Sequence, residues 1–128
     1  MTGVPSIFLA AVVLLPAAVF AGFTADSQLG AGNTSTLAWG DADGDGDLDV
    51  ALGNDGSQNY LYSNDGGGSF TGTTQFGAGA TYSMVWGDYD NDGDPDLAVG
   101  NYGQQNYLYV NNGDVTFDQE NQFGVGFT

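Results

Sequence analysis

From residue 23 onward, apolar residues fall on alternate positions in short runs. Leu37 and Trp39 form one such run, and Leu48, Val50 and Leu52 alternate with Asp49, Ala51 and Gly53. Asn59-Tyr60-Leu61-Tyr62 follows, then Phe70. The whole series returns 47 residues later as Met84 and Trp86, Leu97 and Val99, Asn106-Tyr107-Leu108-Tyr109, and Phe117. A period of two is the signature of a strand with one face toward a core. Turn residues separate the runs: Asn54-Asp55-Gly56-Ser57 and Asn101-Tyr102-Gly103-Gln104, then Asn64-Asp65-Gly66 and Asn111-Asn112-Gly113. The pattern predicts an all-β chain in which each unit is a four-stranded antiparallel meander. Trp39 and Trp86, at matching strand ends, are expected to anchor the core. Alternate tyrosines of the Tyr-Leu-Tyr strands are expected to pack the next unit, ahead of forming an aromatic face for glycan.

The same offset relates Ser27–Gly32 (SQLGAG), Thr74–Gly79 (TQFGAG) and Asn121–Gly126 (NQFGVG). Repetition at such a period predicts stacked or radial units, none able to bury its apolar face alone. The expected division is an apolar segment at 1–22, repeat 1 at 23–73, repeat 2 at 74–120 and the opening of a third at 121–128. Val4 to Ala21 is uncharged and apolar and ends in small residues. It reads either as a secretory signal peptide lacking a basic start or as a retained assembly helix, with a single-pass anchor disfavoured by Pro16.

Composition changes this picture in one respect. The chain holds sixteen acidic residues and no Lys, Arg, His or Cys, for a formal charge of −16. Nothing can neutralise a phosphate, so nucleic acid is excluded as a partner, and no disulfide can staple the domain. Ten of the acids occupy two windows: Asp41, Asp43, Asp45, Asp47 and Asp49 in WGDADGDGDLDVALGN, and Asp88, Asp90, Asp92, Asp94 and Asp96 in WGDYDNDGDPDLAVGN. Carboxylates at loop positions one, three and five, glycine at six (Gly46, Gly93), a carbonyl at seven (Asp47, Asp94) and a carboxylate at nine (Asp49, Asp96) supply the oxygens that Ca²⁺ takes. In that arrangement the side chains of Asp47 and Asp94 point away. The competing reading is a solvated acidic turn without an ion; against it stand the duplication and the glycine at the bend. An EF-hand requires Glu at position twelve and a helix after the loop, where this chain has Leu52 and Val99 on strands. Mg²⁺ would keep its waters, and transition metals would want His or Cys. Two Ca²⁺ sites are expected.

These windows, followed by NYLY and by FGAG or FGVG, resemble the FG-GAP/VCBS repeat family, the calcium-loop blades of integrin-type β-propellers. The resemblance covers about Gly22 to Thr128 and implies two tandem four-stranded propeller-type blades, each with calcium between its first two strands. The implied ligands are Asp41, Asp43, Asp45 and Asp49, and Asp88, Asp90, Asp92 and Asp96. Family propellers close with more blades than two. The expectation is therefore head-to-tail assembly with copies of the same chain, the C-terminal strand complementing a neighbour, unless the chain is a fragment of a longer propeller.

No acid/base pair stands apart from the acidic loops, and without His, Cys or Lys most nucleophile and base arrangements are unavailable, so an enzyme is not expected. Asn33-Thr34-Ser35 is an N-glycosylation sequon of low specificity, and Thr71, Thr73 and Thr74 are candidate O-glycan sites. The resulting expectation is an extracellular, calcium-stabilised structural protein of a surface filament or adhesive assembly. A glycan- or protein-binding adhesion module is the alternative.

Overall fold

The computed structural model describes Gly3, Leu29, Gly30 and residues 32–125. The expected N-terminal signal peptide or helix lies outside the described residues, among which no helix occurs. Among the described residues, six strands form an open antiparallel sheet in chain order: β1 (Thr34–Gly40), β2 (Asp49–Asn64), β3 (Phe70–Gly87), β4 (Asp96–Asn101), β5 (Gln105–Asn111) and β6 (Phe117–Val125).

β2 and β3 are long, and each pairs with its two neighbours through different parts of its length. The first part of β2 pairs with β1 (Trp39 opposite Val50) and the second with β3 (Leu61 opposite Thr74). β3 pairs with β2 up to Ala80 and with β4 from Thr81 (Trp86 opposite Leu97). Within β2, the Asn54 N–H donates to Asn59 Oδ1 (2.8 Å) and the Asn64 N–H to Asp49 Oδ1 (2.9 Å), which folds the strand back across Gly56. The second copy repeats both bonds, Asn101 N–H to Asn106 Oδ1 (2.7 Å) and Asn111 N–H to Asp96 Oδ1 (2.9 Å), where β4 pairs with β5. All four predicted turns carry glycine at positive φ: Gly56, Gly66, Gly103 and Gly113.

The two halves of the sheet stack through β1 and the second part of β3. Trp86 lies over Gly40, and its Nε1–H donates to the Ala38 carbonyl (3.1 Å). Ser35 Oγ donates to the Thr81 carbonyl, and Gly53 fits between the side chains of Thr36, Thr81 and Met84. The core forms at this junction from Ala42, Ala51, Leu61, Phe76, Met84, Leu97, Val99 and Tyr109. A buried polar chain crosses the same junction: Asn59 Nδ2 donates to Thr81 Oγ1 (2.9 Å), which donates to Asn101 Oδ1 (2.8 Å). Each partner satisfies another, which is the condition for polar groups to stay buried.

The one-faced alternation expected after Leu48 does not hold. Asp49 to Asn54 are all buried while Leu48 is exposed, because β2 is covered on both faces once the second half stacks on it. The tryptophans also divide. Trp86 packs against the core, but Trp39 remains 49% exposed with Phe70 beside its ring (centroids 6.1 Å). Of the tyrosines, Tyr109 is buried against Phe76 (5.4 Å), and burial followed by the neighbouring Tyr107 charge pushes its hydroxyl pKa up to about 12. Residues 121–125 continue β6 along β5, with Phe123 opposite Asn106 as Phe76 is opposite Asn59.

Candidate metal centre

Each acidic window forms the connection between two paired strands, β1 to β2 and β3 to β4. The loops curl because their own carboxylates accept backbone N–H groups two and five residues ahead. In the first, Asp41 Oδ2 accepts from Gly46 N–H (3.1 Å), Asp43 Oδ1 from Asp45 N–H (3.2 Å) and Asp45 Oδ1 from Asp47 N–H (2.8 Å). In the second, Asp88 Oδ2 accepts from Gly93 N–H (3.2 Å), Asp90 Oδ1 from Asp92 N–H (3.2 Å) and Asp92 Oδ1 from Asp94 N–H (2.9 Å). Gly46 (φ 97°) and Gly93 (φ 102°) make the bend in the left-handed region, as expected for the sixth loop position.

Asp49 and Asp96 close the loops from the strand side. The buried Asp49 carboxylate accepts the Ala42 N–H at Oδ2 (2.7 Å) and the Asn64 N–H at Oδ1 (2.9 Å), and Asp96 does the same for Tyr89 (2.7 Å) and Asn111 (2.9 Å). One oxygen of each of Asp41, Asp43 and Asp49 lies within 4.8 Å of the others, and the same is true of Asp88, Asp90 and Asp96. The fifth-position residues Asp45 and Asp92 are not gathered into these triads. Asp47 and Asp94 turn their carboxylates toward Gly66 and Gly113, away from the triads. Partial desolvation, then the charges of Asp49 and Asp45, raise the Asp43 carboxyl pKa; desolvation, then Asp92 and Asp96, raise that of Asp90.

The donor set fits a hard divalent cation. Asp41 Oδ1 is buried without a hydrogen-bond partner, beside two further carboxylates, in a chain that has no cationic side chain to offer. An unpaired carboxylate oxygen facing like charges is costly unless a cation completes it. The side chains that sequence reasoning missed are Asn64 and Asn111. Asn111 is buried, and its Nδ2 donates to the Ala42 carbonyl (2.8 Å) and the Pro95 carbonyl (3.1 Å), tying the first acidic loop to the second half of the sheet. Asn64 Nδ2 reaches only its own loop, at Leu48 O (3.2 Å). Their matching positions at the ends of the Tyr-Leu-Tyr strands were the available signal, but in the sequence they read as turn residues.

An open antiparallel sheet built from a duplicated unit, with one carboxylate triad in the β1–β2 loop and another in the β3–β4 loop, is the arrangement of a β-repeat module. Residues 41–99 match the FG-GAP-like repeat, from the first aspartate of one triad to the strand that follows the other. The stretch that holds both acidic loops is thus similar to an FG-GAP-like repeat, which suggests a β-propeller-type repeat module. No curated protein and no solved structure matches the chain.

Proposed function

We propose that the chain is two tandem four-stranded blades, each stabilised by one Ca²⁺, and that it serves outside the cell as a non-enzymatic structural subunit that assembles with its own copies. The orphaned Asp41 Oδ1 within its carboxylate triad is the observation that carries the calcium reading. Asp41, Asp43 and Asp49 hold one ion, and Asp88, Asp90 and Asp96 the other. Asp45, Asp92 and the carbonyls of Asp47 and Asp94 complete the shell as the loops tighten. Ca²⁺ suits this set because six or more oxygens are on offer and no nitrogen or sulfur ligand is present. The apolar, small-residue-terminated start of the chain supports export, and millimolar extracellular calcium suits sites built of exposed loops.

Calorimetry of the full chain with and without a chelator tests this reading. At free calcium about a hundred times Kd, each site contributes about 2.7 kcal/mol, so chelation should lower Tm by more than about 10 °C. Asp41→Ala with Asp88→Ala should abolish that sensitivity. A melt indifferent to chelation would sink the metal reading. One observation favours an adhesion module instead: Tyr82 and Tyr102, 59% and 54% exposed, stand with ring centroids 5.5 Å apart, a platform on which a sugar ring could stack. Binding on a glycan array that is lost in Tyr102→Ala would select that alternative.

A further inference from the structure

The junction between the two halves is asymmetric. The first half contributes a seat, made of the Ala38 and Ala42 carbonyls and of Gly40 and Gly53. The second contributes a knob, made of Trp86, Met84 and Asn111. Because the halves repeat at 47 residues, each carries the other's missing part. The seat recurs as Val85, Gly87, Tyr89 and Gly100, and the knob as Trp39, Leu37 and Asn64.

Both recurrences are uncovered. Leu37 and Trp39 are about half exposed, whereas Met84 is buried. Val85 and Tyr89 are each 60% exposed. A Cβ on Gly40 would strike the Trp86 ring at 2.7 Å, while one on Gly87 would meet nothing within 4 Å. An open groove runs along Ser83, Val85, Ala98, Val99 and Gly100, the positions whose counterparts Thr36, Ala38, Ala51, Leu52 and Gly53 lie at the inner junction.

From this we infer that a second copy of the chain docks head to tail on this groove, Trp39 of one copy seating over Gly87 of the next as Trp86 seats over Gly40. In this contact the Trp39 indole N–H donates to the Val85 carbonyl, repeating Trp86 to Ala38. The Asn64 amide donates to the Tyr89 carbonyl, repeating Asn111 to Ala42. The repetition is not perfect: Tyr82 and Tyr89 stand where the inner junction has Ser35 and Ala42, which gives the copy-to-copy contact a broader aromatic rim. The contact is heterologous, so it continues until it closes as a ring or extends as a filament. Tyr89 lies in the second acidic loop, so an ion held by Asp88, Asp90 and Asp96 shapes part of the seat. Ion binding and salt also reduce the repulsion between two copies of charge −16.

The inference rests on the assembly reading above and names its surfaces. Sedimentation velocity of the full chain in calcium at about 0.15 M salt tests it with two variants. Trp39→Ala removes the knob and keeps the seat; Gly87→Val blocks the seat and keeps the knob, at a site with room for the side chain within one copy. Circular dichroism checks that both variants fold. The wild type should form oligomers that grow with concentration, and each variant alone should associate at least about tenfold more weakly. An equimolar mixture of the two should form a two-chain species that grows no further, because the blocked seat and the missing knob cap its ends. Wild-type oligomers unaffected by either variant would overturn these surfaces while leaving self-assembly standing. A mixture that stays monomeric would overturn them as well. A wild type monomeric at every concentration would overturn both this docking and the assembly reading.

Discussion

The two acidic loops are nearly the same object in two surroundings. Both curl through the same carboxylate-to-backbone bonds, both close on a buried aspartate, and both gather the same triad. Yet Ala42, second in the first loop, is buried against the other half of the sheet, and Tyr89, second in the second loop, is 60% exposed. The residues around them follow suit: Trp86 covers Gly40, and nothing covers Gly87. Local sequence therefore builds the loop, but the neighbour decides whether it belongs to the core.

The largest separation between the loops should come from their closing aspartates. Asp49→Ala strands the N–H groups of Ala42 and Asn64 and releases the loop that Asn111 grips from the other half. Two donors without acceptors, at about 1 to 3 kcal/mol each when buried, give an expected loss of about 2 to 6 kcal/mol in chelator. Asp96→Ala strands two donors as well, the Asn111 N–H among them, but the loop it opens is exposed at Tyr89 where the first is buried in the core at Ala42, so its cost should be smaller by about 1 kcal/mol. Urea melts in chelator measure both. Equal losses would mean that burying Ala42 against the second half adds nothing to what the closing aspartate holds.

A glycine pair gives the next contrast. Gly40→Ala drives a methyl group into the Trp86 ring, an overpacking expected to cost about 1 to 3 kcal/mol. Gly87→Ala, at the same place in the repeat, should change the stability of a single copy by less than about 0.5 kcal/mol. Dilute thermal melts compare the two. A Gly87→Ala variant as damaged as Gly40→Ala would show that its surroundings are filled in solution.

Much of this was legible in the residues. Alternation and turn dipeptides placed the chain in the all-β class, where the eight short strands expected appear as six because β2 and β3 each join two of them. The aspartate spacing located both acidic loops, though it also expected Asp45 and Asp92 among the ligands. It also anticipated that Asp47 and Asp94 turn away. What a period of two cannot show is which face a second layer will cover. Val50 and Ala51 point to opposite faces of β2 and are both buried, and Trp39 and Trp86 share one motif with opposite fates. Those outcomes depend on contacts between residues about 47 positions apart, and a local pattern carries no information on them. The buried asparagines escaped for a related reason: Asn59 and Asn111 sit beside turn residues, and only the stacked halves turn them into cross-braces.

The smallest difference lies in the last hairpin of each unit. Val115 has φ 58°, a conformation that a β-branched residue pays for in strain, and its counterpart Gly68 has φ 87° at no such cost. Val115 tolerates the strain because its side chain packs on the core beside Phe117, whereas a Cβ on Gly68 would meet nothing within 4 Å. Gly68→Val thus acquires the strain without the packing and should cost about 1 to 2 kcal/mol. Val115→Gly releases the strain and loses the packing together, and should fall within about 1 kcal/mol of neutral. Chemical denaturation of the two single variants and of the exchange double variant measures the asymmetry. If Gly68→Val proved harmless, the backbone of the first hairpin would not be held in the left-handed region, and the resemblance between the units would stop short of their last turns.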